Sequence, residues 1–146
     1  GKFNVPLGRY TNPNIVNKAN LLAVSQILQS SNLEFFCRDF EQSLHDIKKN
    51  DFVYFDPPYQ PVSQTANFTS YTNRCFTDDD LERLVNLAEK LDSIGCKVLL
   101  SNSKSNKVEN LFSSSKWKIK EIRVNRAINS DSKKRTGHSE ILIKNY

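Results

Sequence analysis

The chain of 146 residues contains no methionine, only two histidines, three cysteines and one tryptophan. Without methionine not even an initiator is present. Cys37, Cys75 and Cys96 are odd in number, far apart, and form neither a CxxC pair nor a Cys/His ligand spacing. That excludes a disulfide scaffold and a zinc site, and leaves free thiols in a reducing compartment as the default. His45 and His138 stand alone, so no metal site is expected. No apolar stretch approaches the roughly 18 residues of a membrane span, and no signal peptide is visible. The expectation is therefore one cytoplasmic domain without membrane contact. Hydrophobic content of 38% and charged content of 25% suit that reading.

The charge is unevenly spread. Residues 1–96 hold 9 Lys/Arg against 12 Asp/Glu, a net of −3, and residues 97–146 hold 12 against 4, a net of +8. A basic final third suits contact with phosphates, and equally the solvated surface of an ordinary basic protein.

The stretch with most chemistry is Val53-Tyr54-Phe55-Asp56-Pro57-Pro58-Tyr59. A continuous apolar run bounded by proline predicts a fully buried parallel strand over 52–55. Asp56 then falls at the strand's carboxyl end, where open α/β sheets bind ligands. Pro57 and Pro58 stop the strand and remove two N–H donors. The carbonyls of Asp56 and Pro57 are thereby left to accept from something else, beside the flat ring of Tyr59. These residue types suit methylation of an exocyclic amine. An amino nitrogen on a base is a poor nucleophile, because its lone pair is delocalised into the ring. Two acceptors gripping its two N–H groups, the Asp56 carboxylate and a backbone carbonyl, draw it toward tetrahedral geometry and aim the lone pair at an electrophilic methyl. Tyr59 supplies a stacking surface for a base taken out of its duplex. The plainer reading is a strand, a Pro-Pro turn and an incidental aspartate.

In chain order, residues 1–13 read as a loop or hairpin end punctuated by Pro6, Gly8 and Pro13. Asn17 predicts the N-cap of a helix over about 18–30, with Leu21, Leu22, Val24, Ile27 and Leu28 forming an apolar stripe. Residues 33–37 predict a short strand, with Asp39 and Phe40 after its carboxyl end. Asp39 also suits the N-cap of a helix over 40–47, which does not exclude a ligand-binding role at that strand end. Residues 48–51 are a polar turn. Residues 60–76, rich in Ser, Thr and Asn, predict a lid. Thr77 with Asp78, Asp79 and Asp80 reads as an N-cap and acidic first turn rather than a metal cluster. That helix runs through Leu81, Leu84, Val85, Ala88 and Leu91 to a C-terminal cap at Gly95. Residues 97–101 predict a buried strand beside that of Asp56. Asn102 and Ser103 either support the loop after Asp56 or cap a helix near 105–113. Residues 116–124 alternate as an edge or half-exposed strand. A basic connection over 125–137 leads to a last strand over 140–143, and the pair predicts either a clamp on a DNA backbone or a surface hairpin.

The tetrapeptide DPPY at 56–59 and the longer run DPPYQPVSQTANFTSY over 56–71 resemble the Dam-type (D12 class) DNA adenine-N6 methyltransferases, which methylate adenine in GATC. Other blocks resemble that family in the same order: NVPLGRY over 4–10 the end of its target-recognition hairpin, FCRDF over 36–40 its cofactor-adenine block, VLLSNS over 98–103 the strand after the catalytic one, and 126–130 with 140–146 its C-terminal hairpin. The resemblance spans nearly the whole chain. It implies an α/β fold, the C-terminal half of a Rossmann-like methyltransferase sheet, mostly parallel with an antiparallel C-terminal strand pair. Residues 1–13 are then the end of a target-recognition region, and 14–146 a catalytic domain. It implies S-adenosylmethionine as cofactor, held by Asp39, Phe40 and Asp56, with Asp56, Pro57, Pro58 and Tyr59 catalytic. Duplex DNA is the implied partner, touched by Asn4, Pro6, Arg9 and Tyr10, and by Arg126, Asn129, Lys133, Lys134 and Arg135.

One departure is large. The family's glycine-rich FxGxG block, which cradles the methionine part of the cofactor, is absent from these residues. The sequence is expected to lack the N-terminal half of its domain, supplied by the same parent chain or by a second one. Two further strands are then expected between the 33–37 strand and the 52–55 strand. Alternatives to adenine methylation are a catalytically incomplete DNA-binding fragment and a cytosine-N4 methyltransferase.

Overall fold

A computed structural model describes residues 16–30, 32–60, 76–124 and 138–146. Asn4, Pro6, Arg9, Tyr10, Arg126, Asn129, Lys133, Lys134 and Arg135 lie outside these residues, as does most of the expected lid. The described elements are α1 (Lys18–Leu28), a 3-10 turn (Glu41–Leu44), β1 (Phe52–Phe55), α2 (Asp78–Ile94), β2 (Lys97–Ser103), α3 (Asn106–Leu111), β3 (Lys118–Val124) and β4 (His138–Lys144).

The fold is mixed α/β, with the strands in the order β1-β2-β4-β3. β1 and β2 pair in parallel, while β4 runs antiparallel to both β2 and β3. Only one of the three pairings is parallel, so the expectation of a mostly parallel arrangement is corrected for the described strands. The last strand does not lie outside its predecessor; it inserts between β2 and β3.

α2 builds the core because its apolar residues recur at three- and four-residue steps. Leu81, Leu84, Val85, Ala88 and Leu91 are all buried. They meet Val53 and Phe55 of β1, Val98 and Leu100 of β2, and Ile141 and Ile143 of β4. The register explains this shared face: Val53 pairs with Val98, Phe55 with Leu100, and Leu100 with Ile143. Each fully buried leucine contributes about 1.5–3 kcal/mol relative to an exposed one. Phe112 and Trp117 close one end of the core edge-to-face, with centroids 5.1 Å apart. The Trp117 indole N–H donates to Glu89 at 2.7 Å, so its burial leaves no unpaired donor.

The α2 ends follow their sequence signals. Thr77 accepts from the Asp80 N–H while the Asp80 side chain accepts from the Thr77 N–H, a reciprocal capping box. The Thr77 N–H and hydroxyl both donate to Asp80 Oδ2 and hold the Asp80 carboxyl below the usual range. Gly95 ends the helix at φ 90°, a left-handed conformation, and a Cβ there would lie 3.1 Å from Lys49 Cγ. Ser105 caps α3 by accepting from the Val108 N–H.

Three expectations are corrected. Residues 33–37 form no strand: Leu33, Phe35 and Phe36 are exposed, and no described strand lies alongside to take up their backbone groups. The helix expected over 40–47 is a single 3-10 turn. β1 is not fully buried, since Phe52 and Tyr54 are 56% and 52% exposed on the face away from α2. Among the described residues it pairs on one side, with β2, and α2 covers one face of it. α1 forms as predicted, with the Asn17 side chain accepting from Asn20 N–H, but none of its residues is buried.

Candidate active site

The site rests on an offset between two parallel strands. β1 ends at Phe55, opposite Leu100, whereas β2 continues through Ser101, Asn102 and Ser103. These three side chains are at most 3% exposed and lie beside the loop 56–60 that leaves β1. Each of them holds part of it.

Ser101 Oγ donates to Asp56 Oδ1 at 2.9 Å and lies 3.4 Å from the Phe55 carbonyl. The Tyr54 hydroxyl donates in turn to Ser101 Oγ at 3.0 Å. Asn102 Oδ1 accepts from the Gln60 N–H at 3.0 Å and from the Ser103 N–H at 2.8 Å. Ser103 Oγ donates to the Gln60 carbonyl at 2.5 Å. Both backbone groups of Gln60 are thus satisfied by side chains of β2, and the two prolines before it have no N–H to place. Of the two roles left open for Asn102 and Ser103, support of the loop is the one observed; Ser105 does the capping. Asn102 Nδ2 is buried without a hydrogen-bond partner, an open donor next to the loop.

The loop presents Asp56 to solvent, with Pro57, Pro58 and Tyr59 half-buried. Every described hydrogen bond of the Asp56 carboxylate uses Oδ1, and none uses the carbonyls of Asp56 or Pro57. The Tyr59 hydroxyl donates to Glu140 Oε2 at 3.3 Å, anchoring the ring to β4. Burial raises its pKa above the ordinary tyrosine value, the nearby Ser101 hydroxyl opposes this, and the charges of Glu140 and Asp56 add to the rise. Tyr59 is therefore a neutral donor at physiological pH.

Asp39 and Phe40 form a second cluster. Asp39 Oδ1 accepts from the Glu41 N–H at 3.0 Å, a local turn contact, but the cap position of the 3-10 turn is held by Phe40 and not by Asp39 as expected. The same oxygen takes a hydrogen bond from Arg83 Nη2 at 2.9 Å. Arg83 also reaches Glu41 at 2.5 Å and Asp80 at 2.9 Å, and its guanidinium lies 4.8 Å from the Phe40 ring centroid. These bonds, led by the one to Glu41, raise the Arg83 pKa. Phe40 packs against the rim of the core. No described hydrogen bond or ion pair joins this cluster to Asp56–Tyr59. Sequence reasoning missed Arg83 because two of its three carboxylate partners, Glu41 and Asp39, lie 42 and 44 residues away, beyond any local pattern.

No group of three or more His, Cys, Asp or Glu among the described residues is arranged to hold a metal. No described helix is long and apolar enough to cross a membrane.

The family described as D12 class N6 adenine-specific DNA methyltransferase matches residues 1–128. This chain belongs to that family. It is 41% identical over 145 residues to the Type II methyltransferase M1.LlaDCHI of Lactococcus lactis subsp. cremoris, covering 99% of this chain and 50% of that protein. It is 43% identical over 148 residues to the Type II methyltransferase M.MjaIII of Methanocaldococcus jannaschii, covering 100% of this chain and 50% of that protein. To the DNA adenine methylase of Salmonella typhi it is 34% identical over 142 residues, covering 97% and 49%. The chain thus spans about half the length of the curated relatives it matches.

Arg83 ties three carboxylates and one ring across two elements, and methionine would keep its length without its donors. Arg83→Met is expected to speed amide hydrogen exchange of residues 41–44 several-fold while leaving the middle of α2 unchanged, since losing one clamp frees a short turn first. Unchanged exchange over 41–44 would show that the clamp is idle.

Proposed function

We propose that this chain carries the amine-gripping site of an enzyme that methylates adenine N6 in duplex DNA, with S-adenosylmethionine as donor and GATC as target. The observation that supports this most is the state of Asp56. Its carboxylate is exposed, secured through one oxygen, and has the other oxygen open to a donor.

The chemistry asks for acceptors and geometry rather than for a covalent nucleophile. Asp56 Oδ2 and the Asp56 or Pro57 carbonyl accept the two N–H groups of the amine, concentrating its lone pair on the far side. The loop's rigidity holds those acceptors in place before the substrate arrives, so little entropy is lost at the reacting geometry. Tyr59, fixed through Glu140, stacks on the base, which has to be flipped out of the duplex to reach it. When bound, S-adenosylmethionine supplies the electrophilic methyl group. The residues present fit its adenine end: Asp39, held through Oδ1, keeps Oδ2 for an exocyclic amine, and Phe40 supplies an apolar ring. The doubly wound, Rossmann-like character of the complete sheet belongs to the same proposal. So does DNA contact by Arg9, Tyr10, Arg126, Lys133, Lys134 and Arg135.

The exposed surface supports one statement about partners. Among the described residues β1 has no strand on its other edge and exposes about half of Phe52 and Tyr54, while α1 and residues 33–36 expose Leu21, Ile27 and Phe35. We infer that further strands of the same domain, from this chain's parent or a second chain, cover them.

Two experiments test the proposal. In the full-length protein, Asp56→Ala is expected to abolish methyl transfer while leaving DNA binding largely intact, and Asp56→Asn to keep part of the activity, since an amide oxygen still accepts. An Asp56→Ala enzyme within about tenfold of wild type would mean that the carboxylate does not grip the amine. Isothermal titration of the 146-residue chain alone should show weak binding of S-adenosylmethionine or none. Micromolar binding by a well-behaved monomer would show that the missing strands are not needed for the cofactor site.

A further inference from the structure

Ser101 is 3% exposed, and its hydroxyl sits between two groups of the site. A hydroxyl has one proton to give. Three acceptors lie near Ser101 Oγ: Asp56 Oδ1 at 2.9 Å, the Phe55 carbonyl at 3.4 Å, and the oxygen of the Tyr59 hydroxyl, whose own proton goes to Glu140. The carboxylate oxygen is charged, so it takes the proton. A carboxylate has no proton to return, which leaves the Ser101 lone pairs as acceptors. Tyr54, whose hydroxyl is 3.0 Å away, fills that role as donor. The chain of hydrogen bonds therefore has one direction, from Tyr54 through Ser101 to Asp56.

We propose that Ser101 and Tyr54 are positioning residues: together they fix the Asp56 carboxylate by Oδ1 and reserve Oδ2 for the substrate amino group. This rests on the methyl-transfer reading above. Asp56 is exposed, so nothing in its packing would otherwise choose one rotamer. Ser101 supplies the choice from a buried position on the neighbouring strand. Tyr54 sets the direction of the Ser101 proton, and the two bonds in series strengthen each other. The offset that carries β2 past the end of β1 is what brings Ser101 level with Asp56. Tyr54 stands one pleat earlier, on the exposed face of β1, where its ring is accessible but its hydroxyl is committed.

The test is a kinetic double-mutant cycle in the full-length protein, with duplex DNA and labelled S-adenosylmethionine. Ser101→Ala should lower kcat roughly ten- to a hundredfold, the scale expected of a misplaced reacting group. KM for both substrates should stay within about twofold, since Ser101 touches neither of them. Ser101→Thr, which restores a hydroxyl, should recover most of the loss. Tyr54→Phe should lower kcat by about two- to fivefold, the scale of one neutral hydrogen bond. The double variant Tyr54→Phe/Ser101→Ala should be no slower than Ser101→Ala alone, because Tyr54 acts only through Ser101. A Ser101→Ala enzyme within about twofold of wild type in kcat would overturn the relay, as would single effects that simply multiply in the double variant. If thermal melts show that Ser101→Ala does not fold, Tyr54→Phe decides: a lower kcat at unchanged KM supports the relay, and an unchanged kcat overturns it. A wild type without methyl transfer overturns the reading and the relay together, whereas an active wild type with indifferent variants overturns the relay alone.

Discussion

Two parallel strands of unequal length generate the site. β1 stops at Phe55, and β2 continues for three residues whose side chains fasten Asp56 and Gln60. Without that overhang the loop between Asp56 and Gln60 would have few anchors, since its two prolines bring no backbone donors. The parallel pairing itself depends on α2, which connects β1 to β2 and buries five residues against their shared face. Helix, pairing and site thus form one dependency: the α2 stripe sets the sheet, the sheet sets the overhang, and the overhang sets the carboxylate.

The same architecture leaves the other face of β1 bare. Among the described residues this apolar strand has one partner and one covered face, whereas both faces of a parallel pairing are normally enclosed. Phe52 and Tyr54 carry opposite consequences. Phe52 meets Tyr146 edge-to-face and otherwise faces solvent, whereas Tyr54 lends its hydroxyl to the site from the exposed side. A covering layer over Tyr54 would shield the relay from water and strengthen it, because a hydrogen bond gains in a less polar setting.

Local chemistry was legible in the sequence wherever one short segment decides the outcome. DPPY marks a strand end, Thr77 and Asp80 a capping box, Gly95 a left-handed helix cap, and the α2 stripe a core face; all are set within a few residues of chain. Asn102 and Ser103 were legible only as alternatives, since whether they cap or support depends on what lies across the sheet. Residues 33–37 were misread because an apolar run predicts a strand only where another strand is there to pair with it. The insertion of β4 between β2 and β3 depends on pairing partners, not on any property of residues 140–143 alone. Arg83, Ser101 and Tyr54 escaped notice as site residues for the same reason. Their decisive partners are 42–47 residues distant, and a part-exposed arginine on a helix or a serine in a strand carries no sequence mark of its role.

The central proposal is that the open oxygen of Asp56 receives the exocyclic amine of adenine. Mass analysis of nucleosides from duplex DNA incubated with the full-length protein and S-adenosylmethionine bearing an isotopic label in its methyl group tests it most directly. Labelled N6-methyladenine is the expected modified nucleoside. Labelled N4-methylcytosine, or DNA without any label, would contradict it.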